Sequence, residues 1–468
     1  MERRWRRSLL LVAGSAVALG TPAILAWPGF AATAPRTMSV SSPATLASAL
    51  ATARPGDRIL VADGSYGTPL TLTRSGTATA PITIAARNTG GVRLTDADAI
   101  RFGTVSNVVV EGFTFTGDAS LTVPPAAAAV RITRNTFASN RSGNLVTVSA
   151  DNSEVDHNAF LNKSTAGVYL QISGPGSSGM AKNVHIHHNW FFNHHFGGAN
   201  GGESLRLGLS GRQHADAHAL VELNLFEKAN GDSEAISVKS SDNIVRYNTI
   251  LNSRGTLSLR HGWGTLVEGN LLIGGTTGIR FFGNNHVVIN NVVQGTTGQA
   301  LEIGGGEIRD DTRSTRAHEA ADHCLVAFNT FQSSRAGAAR YGSDKKFDPS
   351  DITLADNIFV DRGGALLTGT GTQLRDEGNV LFGGTPGSFP KGTFRMVDPR
   401  LVPGDGGLLR LSSGSPAIDA GVGGYPMVSR DMDGQSRTGP KDVGADEFGA
   451  AGPQHRPLTA ADVGPKAP

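Results

Sequence analysis

Between residues 230 and 270, apolar and polar positions alternate twice in the same phase. Laid over one another at a shift of 21 residues, Ile236 falls on Leu257, Val238 on Leu259 and Lys239 on Arg260. Period two sends successive side chains to opposite faces of a strand. The pattern predicts two consecutive coils of one solenoid, the apolar members inward and the two cations stacked outward, about 4.8 Å per coil apart. In the next coil Ile279 and Phe281 keep the phase, which sets Arg280 outward beside Ser258.

A wider repeat frames this stretch. An apolar β-former, two variable residues, Asn, one residue and a large apolar residue recur at Asn135, Asn158, Asn189, Asn224, Asn248, Asn270, Asn291, Asn329 and Asn357. The intervals are 23, 31, 35, 24, 22, 21, 38 and 28 residues. A minimum of one coil length with outward excursions predicts an all-β fold, a right-handed, single-stranded parallel β-helix with rim loops. The asparagines need no functional explanation. Such a residue tolerates left-handed dihedrals at a turn, and its amide can bond the amide one coil away. Two excursions, 189–224 and 291–329, flank the central stretch and could wall a groove above it.

At the start of the fold, Ser42-Pro43 predicts a helix N-terminus, and Leu46, Ala49, Leu50 and Ala53 form a short apolar stripe. This helix would cover the open end of the sheets. Residues 1–34 predict an export signal, arginines followed by an apolar run and small residues, by the Sec or twin-arginine route. Residues 35–450 form the β-helix domain, in which the segments 415–421 and 442–447 are expected as terminal strands. The Pro- and Ala-rich 451–468 are expected to be a disordered tail.

Composition narrows the partners. The net charge of +2 gives no global field for nucleic acid, and no membrane partner is expected of the mature, secreted protein. A polyanion must therefore be recognised by a local cluster. The single cysteine, Cys324, excludes an internal disulfide.

Two stacked cations repel by about 3 kcal/mol at an effective dielectric of 20. This lowers the Lys239 pKa and makes a proton abstractor of it, unless the pair is simply a solvated face bridged to acids. Asp232, Glu234 and Asn200 offer hard oxygens suited to Ca²⁺, or else cap turns. Strict alternation would point both acids inward, so they reach solvent only through a bend between Glu234 and Ile236. His185, His187, His188, His194 and His195 invite a zinc reading, but no paired Cys or Glu motif completes it, and surface and turn roles are expected. His261 lies beside the cations and could donate to an anionic ligand.

Glu234-Ala-Ile-Ser-Val-Lys-Ser240, followed by Gly255-Thr-Leu-Ser-Leu-Arg-His-Gly262, resembles polysaccharide lyase family 6, which contains alginate lyases and chondroitinase B. The segments 55–66, 76–83 and Asn200-Gly-Gly-Glu-Ser-Leu-Arg-Leu-Gly208 are similar to it as well, so the likeness spans residues 37–450. The resemblance implies a parallel β-helix that cleaves an anionic uronate polysaccharide, alginate before dermatan sulfate, by β-elimination. It implies Lys239 as the base, Arg260 serving the leaving oxygen, and Asn200, Asp232 and Glu234 holding Ca²⁺. Arg206, His261 and Arg280 are the expected substrate contacts. A non-catalytic glycan-binding β-helix is the competing expectation; a glycoside hydrolase would need paired carboxylates at the sugar.

Overall fold

The computed structural model describes residues 34–198, 200–313, 315–335, 337–342, 344–449 and 455–468. The expected export signal lies outside the described residues except for residue 34. Among the described residues no helix is long and apolar enough to cross a membrane.

Each coil of the chain contributes one short strand to each of three parallel sheets, of 14, 13 and 14 strands, and strand order along every sheet follows chain order. This is the expected parallel β-helix. The strands are short, and their alternation is strict where one face is solvated, as in the buried–exposed–buried residues of Leu121–Val123. Inward residues of neighbouring coils lie in register and stack. Phe115, Phe137, Phe160, Phe191 and Phe226 form one such column, with ring centroids 4.5–4.9 Å apart. The helix α1 (Pro43–Thr52) caps the first coil as expected. Ser42 Oγ accepts from the Thr45 backbone N–H, Thr45 Oγ1 accepts from the Ser42 N–H, and Leu46, Ala49 and Leu50 are buried.

The asparagines stand in an unbroken ladder. The Nδ2 of each donates to the Oδ1 of the asparagine one coil on, at 2.9–3.0 Å from Asn135 through to Asn379, a tenth member. The left-handed dihedrals do not fall on these asparagines. They fall on the residue before, such as Arg134, His157, His188, Leu223 and Tyr247. The turn is made one position early, which leaves the asparagine free to point its amide into the corner. Asn248 also donates to Val221 O and Arg246 O, and its Oδ1 accepts from the backbone and side chain of Asn224. An unsatisfied buried group costs about 1–3 kcal/mol, so Asn248→Ala, which orphans several, is expected to lose at least ~3 kcal/mol. The denaturant midpoint of this variant, compared with Asn379→Ala at the ladder's end, checks it: the mid-ladder change should cost more.

The C-terminal region departs from the expectation. Residues 415–421 and 442–447 are not strands closing the last coil; after the antiparallel pair Leu401–Pro403 and Leu409–Leu411 the chain turns back along the outside of the solenoid. There Val428 packs with Ile289, Leu325 and Phe328, and Met432 and Ala445 pack with Leu271 and Val292. Of the expected tail 451–468, residues 451–454 lie outside the described residues, and residues 455–468 are docked on the solenoid. Leu458 N–H donates to Thr249 Oγ1, Gly464 N–H to His188 O, and Arg134 Nη1 to the carbonyls of Pro465 and Ala467. Val463 and Ala467 are buried. A Pro-rich segment is already restricted in conformation, so it loses little entropy when it docks on a preformed corner.

Candidate active site

Four consecutive strands of the 13-stranded sheet build the floor of the site: β1 (Leu205–Gly208), β2 (Glu234–Lys239), β3 (Thr256–His261) and β4 (Ile279–Phe281). Leu205, Ile236, Leu257 and Ile279 are in register and wholly buried. Their outward neighbours make a second column, Arg206, Ser237, Ser258 and Arg280, extended one coil earlier by Gln171 and one coil later by Glu302.

The pairing of β2 with β3 slips twice. Glu234 faces Thr256 but Ile236 already faces Leu257, so Ala235 is an extra residue. This is the bend that the acids require. A bulge re-aims the side chains before it, and Glu234 joins the outward side, within reach of Ser237 and Ser258. The second slip corrects an expectation. Val238 faces Leu259 but Lys239 faces His261, so Arg260 is itself the extra residue and does not stack on Lys239. A repeat counted by residue number cannot reveal a bulge inside one copy.

The bulge separates the two cations into two acid–base groups. Lys239 is only 5 % exposed, and its Nζ lies 3.1 Å from Oε1 of Glu203, which is itself fully buried. Arg206 closes this group, with Nη1 3.4 Å from the same oxygen and Nε donating to Gln171 Oε1. Burial lowers the Lys239 pKa; Glu203 and Glu234 push it back up, while Arg206 and Arg260 lower it further. Desolvation, not a stacked arginine, is thus the larger cause. Burial works to raise the Glu203 carboxyl, but Arg206 and Lys239 outweigh it and hold it below the ordinary carboxylate range.

In the second group Glu234 accepts from Arg280 Nη2 and Ser237 Oγ, with Ser258 Oγ at 3.4 Å and Arg260 Nη1 at 3.5 Å. Arg280 also donates to Ser258 Oγ from Nε and Nη2, at 3.2 Å each. The Arg260 Nε is buried without a hydrogen-bond partner. Arg206, Arg260 and Arg280 each keep about a fifth of their side chain open, between 17 and 26 %. The result is a positive floor with one deeply set amine at its edge.

The two excursions do wall this floor, and they touch: Gln213 Nε2 donates to Thr315 O at 2.8 Å. His261 Nε2 lies 3.2 Å from Ser210 Oγ of one wall, and its ring is 5.5 Å from that of His318 in the other. Burial, followed by His318, Arg260 and Lys239, pushes the His261 pKa down to about 3. His261 is therefore a neutral imidazole near neutral pH, able to donate one N–H but not to serve as a cation. His318, stacked on Phe282, is pushed down to about 4 by burial and by Arg260.

The expected calcium donors Asp232 and Glu234 are bonded within the protein in this structure. Asp232 Oδ2 accepts from the backbone N–H of Gly201 and Gly202, and Oδ1 accepts from the N–H and Oγ of Ser233. Both oxygens of Glu234 are taken by hydroxyls and guanidinium groups. Each carboxylate oxygen has two lone pairs, so these bonds compete with a cation without filling the acids: Glu234 Oε2 accepts from Ser237 Oγ. Asn200 is exposed at the start of the segment that covers Asp232. That segment approaches closely: a Cβ on Gly202 would stand 2.3 Å from Gly231 O, so only glycine fits there.

Lys239, Arg260, Arg206, Arg280 and His261, all expected from the sequence, come together at one floor. Gln171 and the direct contact of Glu203 with Lys239 were not expected from the sequence. The available signal was Glu203 three residues before Arg206, in a segment opening on paired glycines.

Residues 40–362 match the family model described as Chondroitinase B. The chain belongs to the chondroitinase B family. Among solved structures this family member is similar to the PL6 family alginate lyase AlyGC, at 26% identity and a TM-score of 0.71, over 84% of this chain and 60% of that one. It therefore spans about three fifths of AlyGC. A mannuronic acid specific family 6 lyase from human gut microbiota shares 22% identity, with a TM-score of 0.65 over 78% of this chain and 91% of that one. The PL6 family polysaccharide lyase Pedsa3628 from Pseudopedobacter saltans shares 19%, with a TM-score of 0.59 over 92% and 99%. The last two likenesses speak for the fold alone. No curated protein matches the sequence.

Proposed function

We propose that this chondroitinase B family member is an exported lyase that cleaves a uronate polysaccharide, alginate in the first instance, by β-elimination. The observation that carries the reading is Lys239: a desolvated amine with a lowered pKa at the edge of a floor of three arginines. The proton on C5 of a uronate is made acidic by the neighbouring carboxylate, and more so when that carboxylate is met by cations. Arg206 and Arg280 are the groups to meet it. The neutral Lys239 Nζ takes the proton, the C5–H electron pair forms the C4=C5 double bond, and the C4–O4 bond breaks. The departing O4 is protonated by solvent or by the lysine ammonium, since a guanidinium gives up a proton only above pH ~12. Arg260 then stabilises charge at O4 rather than acting as an acid. Alginate is supported by the description of AlyGC as an alginate lyase; the family's description, Chondroitinase B, supports the alternative, for which the resemblance implies dermatan sulfate.

The test is ultraviolet absorbance of the unsaturated uronate on polymannuronate, polyguluronate and dermatan sulfate. A rise on alginate blocks is expected, and glycan binding with no rise on any uronan would overturn the reading. Calcium assistance through Asn200, Asp232 and Glu234 rests on the resemblance, and a chelator separates it from the arginine-only site. Turnover is expected to be unchanged in EDTA. Activity lost to EDTA and restored by added calcium would return those three residues to the role of ligands.

A further inference from the structure

On the 14-stranded sheet that begins with Thr37–Val40, away from the catalytic floor, three neighbouring strands carry a cluster that the elimination does not use. His185 and His187 are two apart on the strand His185–His187 and flank the wholly buried Ile186, so both imidazoles face outward. In register, Glu154 and Asp156 lie beside them one coil earlier, and Glu222 lies beside His187 one coil later. The two rings are 4.1 Å apart between centroids. One ligand atom from each of Glu154, His185 and His187 lies within 4.8 Å of the others.

We propose that Glu154, His185 and His187 form a binding site for a zinc-class divalent cation, outside the active site. Two imidazole nitrogens and one carboxylate are the donors that suit Zn²⁺ and leave a fourth position for water. Hard cations such as Ca²⁺ favour all-oxygen sites and are not expected to compete. The carboxylates are already poised: His187 Nε2 lies 2.9 Å from Glu154 Oε1 and His185 Nε2 lies 2.9 Å from Glu222 Oε1. Glu154 is the less committed acid, since Arg131 lies 3.5 Å from it but 2.8 Å from Asp156. An outer layer orients the ligands, as metal-binding histidines require. His187 Nδ1 is 2.8 Å from His188 Nδ1, and His188 stacks on His157, which is bonded to Asp156. The carboxylate missing from the local sequence is supplied from another coil, 31 residues before His185.

The experiment is calorimetric titration of the tag-free, chelator-treated full chain with zinc chloride, with excess calcium in a parallel run. One equivalent is expected to bind, undisturbed by calcium. Glu154→Gln and the His185→Gln/His187→Gln pair should each weaken it at least ~10-fold, the loss typical of even an outer partner. Cobalt substituted for zinc should give the visible bands of a four-coordinate site in the wild type and lose them in the histidine pair. Circular dichroism and unchanged lyase turnover establish that the variants are folded. No zinc binding by the wild type, or equal affinity and the same cobalt spectrum in the histidine pair, would overturn the assignment.

Discussion

Lys239→Ala is expected to lower turnover by ~10²–10⁴-fold, the contribution of a positioned general base. The lysine is expected to act on the bound sugar rather than to hold it, so kcat should fall and KM should change little. Because Glu203 is fully buried, the variant also removes one partner of a buried pair. Breaking such a pair costs about 3–5 kcal/mol, but Arg206 stays beside the carboxylate and shares its charge. A lowered thermal midpoint with an intact β-sheet spectrum is therefore the expected companion of the lost turnover. Retained elimination in Lys239→Ala would remove the base from the mechanism.

Glu203→Gln should act on the same proton from the other side. The Glu203 charge raises the Lys239 pKa against the downward pull of burial and the arginines. An amide keeps the shape and one hydrogen bond but loses the charge, so the lysine pKa falls further. A base with a lower pKa is free at lower pH, and the acid limb of the kcat profile should move to lower pH. The maximal rate should fall too, because a weaker base abstracts a proton less readily. A merely structural glutamate would lower the rate without moving the limb. Glu203→Asp, which restores the charge at shorter reach, should return the limb toward the wild-type position.

The coil architecture was legible because one spacing recurs and each copy carries the same period-two pattern. The stacking of Ile236 on Leu257 and of Val238 on Leu259 follows from residue number alone. What residue number could not give was the extra residue at Arg260, since a bulge changes pairing without changing length. That single slip turned an expected stack of two cations into two separate groups, one around Glu203 and one around Glu234. Partners contributed from other coils were equally hidden. Glu203 lies 36 residues before Lys239, and Glu154 lies 33 residues before His187. The tail was misread for a different reason: composition describes what a segment does alone, not what a preformed surface offers it.

That tail has a mechanical consequence. The last coils of the chain are followed by a strap that runs back past Thr249 and His188 to Arg134, so the C-terminus ends beside one of the early coils. A tension applied at the C-terminus would peel the strap at Arg134 first and reach the final coils only after Leu458 has let go. A fluorophore placed on residue 468 would sit beside the first third of the solenoid, and would report the unravelling of the end where the chain begins.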